Sequence, residues 1–467
     1  MILKTKAPKI ISFKDYLCAM QRILLLICYT LGGFCFAFVR VHAQGVSLQE
    51  SLKLALENST QLKKAQLDRD VLEQRLREGR SAAYPTINAS LSFDYYPLLP
   101  TQLLPGELFG QADGTYIPAQ FGQPWQLTSA ITIEQPLYNE SLRRSIPSVN
   151  VTRAIYDLLL ERSETEVLFN TAQLFYQTLQ TEQLLRALNA NLEKIAALQR
   201  MAELQLKNGY AIPVDVKRIK VAHTNLSTQR QNLLAGIKAL QQTMKFICGK
   251  DFDADFSPEE ALTDPTADSS RWQAIQLEPE AAAEHRLLLR NLELNRLQVR
   301  SLYGEAYPSL RAYASGYYQS LRKDANVFDA STRWFGMAAI GFKLDVPVFD
   351  GFRRQRKAAI LRIEGQKLEA DRNQLLRAKE LEFRQARIQL QNALESVRAQ
   401  QENVGLAREI VEKLTLQYKE GVASLTDLLN AQTALSEAET NYWQQVFSYK
   451  LAVLKLLKAA GKIDILK

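Results

Sequence analysis

A nine-residue turn occurs twice in this chain, as Lys207-Asn-Gly209-Tyr-Ala211-Ile-Pro213-Val-Asp215 and as Lys419-Glu-Gly421-Val-Ala423-Ser-Leu425-Thr-Asp427. The two glycines (421 − 209) and the two aspartates (427 − 215) are both 212 positions apart, so Lys, Gly, Ala and Asp keep one register. Repetition on this scale restricts the fold to two copies of one supersecondary plan. Each copy follows a very long helical pattern and precedes a shorter one, which makes it the tight end of a helical hairpin. Glycine supplies the left-handed residue that ends the incoming helix. In the first copy Pro213 suits the first position of the outgoing helix, with Asp215 toward that helix's exposed amides. In the second, Ser424-Leu-Thr-Asp427 has capping-box spacing.

The helices that reach these turns are long. Between Ser148 and Asn208 there is no Gly or Pro, about 60 residues and so about 90 Å of helix at ~1.5 Å per residue. Its later part carries Leu185, Leu188, Leu192, Ile195, Ala202 and Leu206 at coiled-coil spacing, and the outgoing helix repeats Ile219, Leu226, Leu233, Leu240 and Ile247 every seventh residue. Leu428, Leu435, Tyr442, Tyr449 and Leu456 do the same in the second half. A seam of this kind taken alone describes a structural coiled coil.

Strand patterns interrupt the helices. Ser47-Leu-Gln-Glu50 starts a helix whose leucine stripe runs to about Ala83, where Tyr84-Pro85 stops it. From Ile87 the period becomes two, with Ile87, Ala89, Leu91, Phe93 and Tyr95 opposite Asn88, Ser90, Ser92 and Asp94. A Pro- and Gly-rich stretch, Pro97 to Pro124, precedes a second alternating run from Trp125. Tyr307-Pro308, Leu310 to Tyr318, a loop around Lys323 to Ser331 and the run from Trp334 to Val346 repeat the plan. Strands are therefore expected at about 87–96, 125–135, 310–319 and 334–346.

Four such strands, apolar on one face, have the length and alternation of membrane-spanning β-strands. Four cannot close a barrel, and an open edge cannot sit in lipid. Two chains would supply eight strands and three would supply twelve. The alternative is a soluble four-stranded sheet packed on the helices.

Most of the net charge and of the cysteine lies in the first 43 residues. The formal charge is +8 over 467 residues, but Lys4, Lys6, Lys9, Lys14, Arg22 and Arg40 against Asp15 place +5 of it in residues 1–43. The remaining +3 is no argument for nucleic acid. That segment has a basic start, an apolar run from Ile23 to Val39 and Val41-His-Ala43 before Gln44, the layout of a cleaved signal peptide. A retained anchor is the alternative, about 17 apolar residues being the lower limit for a span. Phe34 before Cys35 is too bulky for a lipid-attachment site. Cys18, Cys28 and Cys35 fall in the leader, so Cys248 alone follows it and no internal disulfide is expected.

Catalytic patterns are lacking. His223 and His285, the histidines beyond the leader, have no Cys or carboxylate cluster at ligand spacing, and there is no Gly-rich phosphate loop or nucleophile elbow. The acidic stretch from Gly249 to Glu284 does not match an EF-hand and is expected to be a solvated connection. No enzyme activity, cofactor or metal is expected.

Taken together, these residues resemble the TolC-like family of outer-membrane efflux channels over nearly the whole chain after the leader. The resemblance rests on Asp68-Arg69-Asp70 before Arg80-Ser-Ala-Ala-Tyr-Pro85, Phe169-Asn-Thr-Ala172 through Tyr176, Gln135-Pro-Leu-Tyr-Asn139 paired with Val346-Pro-Val-Phe-Asp350, and both tips. It implies an α+β membrane protein, a homotrimer with a twelve-stranded transmembrane β-barrel in outer-membrane lipid, four strands per chain. The barrel would continue as a long α-helical coiled-coil barrel in the periplasm. It implies a signal peptide at 1–43, a first repeat at 44–250, an equatorial linker at 251–284, a second repeat at 285–458 and an equatorial tail at 459–467. The partners implied are a periplasmic adaptor and an inner-membrane pump, in tripartite efflux or type I secretion. The adaptor would dock at the tips, on Lys207, Gly209, Ala211, Lys419, Gly421 and Ala423.

Asp427 matches the family's gate aspartate by its place six residues after Gly421, and a ring of three copies would attract cations. Asn430 stands where a second acid is expected and Ala423 where an arginine is, so the ring carries half the charge and lacks one salt bridge. Tyr418 and Asp215 match the residues that tie inner and outer hairpins, predicting a hydrogen bond from the Tyr418 hydroxyl to the Asp215 carboxylate. The reading from a different class is a periplasmic adaptor or structural coiled-coil protein without a membrane barrel.

Overall fold

The computed structural model describes residues 45–209, 212–260, 269–326, 329 and 331–467. The expected leader at 1–43 and the docking residue Ala211 lie outside the described residues. Two short helices open the chain, α1 (Leu48–Asn58) and α2 (Thr60–Ser81), followed by strand β1 (Thr86–Tyr95). A small hairpin, β2 (Thr101–Pro105) and β3 (Tyr116–Gln120), leads to β4 (Trp125–Tyr138). Helix α3 (Glu140–Lys207) runs to the first tip and α4 (Pro213–Cys248) runs back. After α5 (Ser269–Gln273), the second half gives α6 (Ala283–Gly304), β5 (Ser309–Arg322), β6 (Trp334–Asp345), α7 (Arg353–Lys419) and α8 (Leu425–Ala459).

Three local details differ from the sequence expectations. The single helix expected from Ser47 to about Ala83 breaks at Ser59, whose extended backbone lets its hydroxyl accept from the Leu62 amide at 3.3 Å. The stretch expected as an irregular loop from Pro97 to Pro124 contains the β2–β3 hairpin, paired from Thr101↔Gln120 to Pro105↔Tyr116. Helix α3 starts at Glu140 and passes through Pro147. An interior proline loses one backbone bond, but Asn139 caps Leu142 at 3.1 Å and the Ser301 hydroxyl donates to the Ser141 carbonyl at 3.0 Å, holding the first turns.

The four long strands form one antiparallel sheet in the order β1-β4-β5-β6. Its register places Ile87 opposite Ile133, Ala89 opposite Ile131, Ile133 opposite Ala314 and Ala314 opposite Ile340. Residues directly opposite share a face, so Ile87, Leu91, Phe93, Ile131, Ile133, Ile340 and Phe342 all lie on one side. That side is bare: Leu91 is 71% exposed and Ile340 is 89% exposed. The other side pairs Asn88 with Thr132 and Ser92 with Thr128, and carries Lys343 opposite Arg311. Neither β1 nor β6 has a partner on its outer edge among the described residues. No described helix is long and apolar enough to cross a membrane.

Helices extend from the sheet in two hairpins that pack on each other. With 68 residues, α3 is about 100 Å long at ~1.5 Å per residue, and α7 has 67. Midway along them lies a core of Leu52, Leu168, Phe175, Met244, Cys248 and Ile463, next to a second built from α7 and α8 around Leu390, Val397, Tyr449 and Leu456. Phe175 and Leu168 are fully buried, which contributes about 1.5–3 kcal/mol each. Phe256 enters the first core, while Trp272, Ile275 and Leu277 pack against the second, so these described residues between the halves pack on the helices at mid-height. Val46 bridges to Pro258 in parallel there, and the C-terminal turn Ile463–Leu466 closes the same layer.

The two faces of the sheet predict different tolerance. Leu91→Arg should cost about 2–4 kcal/mol if that face meets lipid near its midplane, and Ser92→Arg much less. Assembly into membrane-inserted oligomers measures this. Equal tolerance at the two positions would show that the apolar face is not lipid-facing.

Candidate functional site

The two duplicated turns lie side by side at the far end of the hairpins. Gly209 and Gly421 both have φ 77°, the left-handed conformation that ends α3 and α7. A side chain there would be strained by the backbone although nothing lies within 4 Å of its Cβ. The Gly209 amide donates to Leu206 O at 3.1 Å and the Gly421 amide to Tyr418 O at 3.1 Å. Past the second tip, Val422 N donates to Gln417 O at 2.8 Å. Pro213 occupies the first turn of α4. Lys207, Lys419 and both glycines are exposed, and Ala423 is half-buried.

One apolar cluster joins the tips. Ile195, Leu198 and Ala202 of α3, Ile219 of α4, and Leu425 and Leu428 of α8 are buried together, with Tyr418 and Leu414 of α7 packed against them. Four helices therefore share a single small core just behind the turns. Higher up, buried Gln432 donates to Asn191 Oδ1 at 2.6 Å, a polar tie between α8 and α3.

The latch differs from the sequence expectation. Tyr418 donates its hydroxyl to Gln205 Oε1 at 3.2 Å, not to Asp215. Burial raises the Tyr418 pKa, and the negative charge of Asp215 adds to this, so Asp215 acts on it through space. Asp215 instead faces Arg218 at 3.7 Å, and Arg218 Nη1 donates to Thr426 Oγ1 of α8 at 3.0 Å. The inner and outer hairpins are thus tied by Tyr418–Gln205 and Arg218–Thr426. Neither Gln205 nor Thr426 stands out in the sequence, because their role depends on a neighbour more than 200 positions away.

Asp427 lies in the first turn of α8, exposed, and makes a reciprocal pair with the cap: its amide donates to Ser424 Oγ at 3.2 Å while that hydroxyl donates to Asp427 Oδ2 at 2.6 Å. Among the described residues the other carboxylate oxygen, Oδ1, carries no such bond, and Asn430 is exposed one turn on. Capping and a solvent-facing charge are compatible in this geometry.

Two further features emerge only in three dimensions. A groove of about 430 Å³ runs between α3 and α7 behind the tips, lined by Lys194, Met201, Arg408, Val411, Thr415 and Lys419. At the helical end of the polar sheet face, Arg311 bridges Glu134 at 3.3 Å and Asp345 at 3.2 Å, with Lys343 3.8 Å from Asp345. His285 is structural. It is buried and its Nε2 accepts from Arg372 Nε at 3.2 Å, so Nδ1 carries the proton facing Glu280 O at 3.2 Å. Among the described residues no group of three His, Cys, Asp or Glu could hold a metal ion. Burial pushes the Cys248 thiol up to about 11.

Comparison with known proteins bears on the family and the fold. The family model described as outer membrane efflux protein matches residues 51–245 and 279–462. The chain is 21% identical over 462 residues to outer membrane protein TolC of Salmonella enteritidis, covering 95% of this chain and 87% of that protein. It is 20% identical over 465 residues to outer membrane protein TolC of Escherichia coli strain K12, with the same coverage. The fold superposes on the crystal structure of the outer membrane protein VceC of Vibrio cholerae with a TM-score of 0.67 and 16% identity, covering 89% of this chain and 96% of that one.

Tyr418→Phe and Thr426→Val each delete one hydrogen bond between hairpins, worth about 0.5–1.5 kcal/mol. Hydrogen exchange of the tip amides, at 207–215 and 419–427, should speed up while the mid-height core stays protected. Unchanged tip exchange in both variants would show that these bonds do not hold the tips together.

Proposed function

Because the chain belongs to the outer membrane efflux protein family, whose members are passive trimeric channels of the outer membrane and not enzymes, we propose that it is the exit duct of a tripartite efflux or type I secretion system. It is an outer-membrane protein with its helical tunnel in the periplasm. In the proposed assembly three chains each lend four strands to a twelve-stranded barrel, and an inner-membrane pump supplies the energy that the duct does not. A periplasmic adaptor hands cargo from pump to duct. The observation that carries this reading is the sheet itself: apolar and bare on one face, polar on the other, and unpaired at both edges among the described residues. A soluble sheet packed on its own helices, as an adaptor or plain coiled-coil protein would have, would cover that apolar face.

Within this reading the tips have two roles. Lys207, Gly209, Lys419, Gly421 and Ala423 form the docking surface, together with Ala211. The groove between α3 and α7 offers an adaptor hairpin an apolar floor at Met201 and Val411 under a basic rim. Asp427 forms the cation-attracting ring at the periplasmic entrance, carrying half the charge of a ring with two acids because Asn430 replaces the second. Tyr418, through Gln205, and Asp215, through Arg218, restrain its opening. The segment 251–284 and the tail 459–467 form the belt that braces the helices at mid-height.

Membrane fractionation combined with conductance in planar bilayers tests the function. The full chain should enter the outer membrane as heat-modifiable oligomers and conduct; a salt-soluble, non-conducting protein would exclude a channel. Asp427→Asn should weaken cation selectivity and divalent block, and Tyr418→Phe should raise the open fraction. Parent-like currents from both would leave Asp427 with capping alone, worth about 0.3–1 kcal/mol. Since any side chain at Gly209 or Gly421 strains the turn, Ala423→Trp is the cleaner docking test. It should abolish efflux while trimers persist, and undiminished efflux would remove the tip from the docking surface.

A further inference from the structure

Each half leaves the sheet by the same route. Strand β4 enters α3 through Tyr138-Asn139-Glu140 and reaches Arg143-Arg144; β6 enters α7 through Phe349-Asp350-Gly351-Phe352 and reaches Arg353-Arg354. The arginine pairs are 353 − 143 = 210 and 354 − 144 = 210 positions apart. Both junctions border the end of α6. Ser141 Oγ lies 3.3 Å from Ser301 Oγ near the end of α6, and Glu305, just past that end, reaches Arg353 at 3.3 Å.

Basic charge exceeds acidic charge in this layer. Glu140, 3% exposed, accepts from Arg143 Nε at 2.6 Å and from Arg144 Nε at 2.7 Å. Asp350 accepts from Arg354 at 2.6 Å. Glu140 is held down to about 2 by its bonds to Arg143 and then to Arg144, so its charge persists at any physiological pH. Three carboxylates thus face four arginines, and Arg356 and Lys357, exposed one turn on, pair with none among the described residues. Arg143 keeps 70% of its side chain exposed and Arg353 57%.

Exposed aromatic and branched side chains sit in the same layer. Tyr138 lies on the apolar sheet face, opposite Leu310. Phe349 packs edge-on against Phe352 at 5.5 Å, and both are exposed along with Val346 and Val348. Phe352 has φ 63°, the one left-handed residue other than glycine among the described residues. A bulky side chain in that conformation is held against its backbone preference, here with its ring in the open. The Arg144 guanidinium stacks over the Tyr307 ring at 4.8 Å.

Aromatic rings beside an apolar face, followed at once by exposed guanidinium groups in excess over their carboxylates, match the boundary of a bilayer carrying anionic headgroups. We propose that this double-arginine layer binds the phosphate of anionic phospholipids in the periplasmic leaflet, with Arg143 and Arg353 as the reaching side chains. The guanidinium fork suits phosphate oxygens, and Val346, Val348 and the Phe349–Phe352 pair lie where acyl chains begin. Continuity with the apolar face favours a lipid over free phosphate. The proposal rests on the reading of that face as lipid-facing.

The test uses the purified full chain in neutral detergent, titrated with dioleoyl phosphatidylglycerol and separately with dioleoyl phosphatidylcholine, bound lipid being counted by native mass spectrometry. The parent should prefer the phosphatidylglycerol. Arg143→Gln and Arg353→Gln should each weaken that binding about fivefold, and the pair about twenty-five-fold, the factor expected per basic side chain at an anionic surface. Arg143→Lys with Arg353→Lys should keep most of it. If the double Gln variant fails to assemble, the single variants carry the test. Equal binding of the two lipids by the parent, undiminished binding by the Gln variants, or displacement of the lipid by excess inorganic phosphate would overturn the proposal. Fractionation keeps this apart from the channel reading: a chain that never enters the outer membrane sinks the channel, whereas one that enters it without lipid preference sinks only the arginine layer.

Discussion

Unpaired strand edges govern this molecule. A backbone amide or carbonyl left without a partner in hydrocarbon costs several kcal/mol, and among the described residues β1 and β6 each present an outer edge with no strand beside it. Such a sheet becomes stable in a membrane only when the β6 edge of one chain meets the β1 edge of another. The assembly is therefore specified by backbone hydrogen bonding, while the apolar face specifies only the medium. Everything below the sheet inherits that arrangement, since each strand pair is fused to helices whose position around the axis follows from the strands above.

Internal duplication solves a packing problem as well. A hairpin of α3 and α4 alone buries one seam and leaves another exposed. The second hairpin, α7 and α8, covers part of it, and the buried Ile195, Ile219 and Leu428 cluster shows all four helices meeting behind the tips. The seam residues sort accordingly: Ile219 is fully buried, whereas Leu226 and Leu233, farther up α4, are half-buried in the single chain.

The parts of the fold that were legible in the sequence are those governed by period and by short turns. Period two at Ile87 to Tyr95 and the glycines at 209 and 421 each report a backbone state directly, and the strands and tips fall within a few residues of expectation. Ser59 and the β2–β3 hairpin were missed for a different reason. A serine inside a leucine stripe reads as an ordinary helix position until its extended ψ of 117° is seen, and Thr101 to Pro105 is too short and too proline-marked to alternate visibly. At the tips, Tyr418 was legible as a tie but its acceptor was not: Gln205 and Asp215 flank the same turn, and only the folded chain shows that Gln205 receives the hydroxyl. The charged group of Glu134, Arg311 and Asp345 spans three strands and has no local signature at all.

The position of the buried core along α3 has a mechanical consequence. Phe175 and Leu168 sit about halfway down a 68-residue helix, leaving roughly 50 Å of uninterrupted helix between this fixed point and Lys207 at ~1.5 Å per residue. A stiff rod pivoting there is a lever. Tilting it by about five degrees would carry its end about 4 Å, roughly one side-chain contact distance, while the residues at the fulcrum barely move. Contacts at the tip can thus be exchanged wholesale without disturbing the core that keeps the molecule folded.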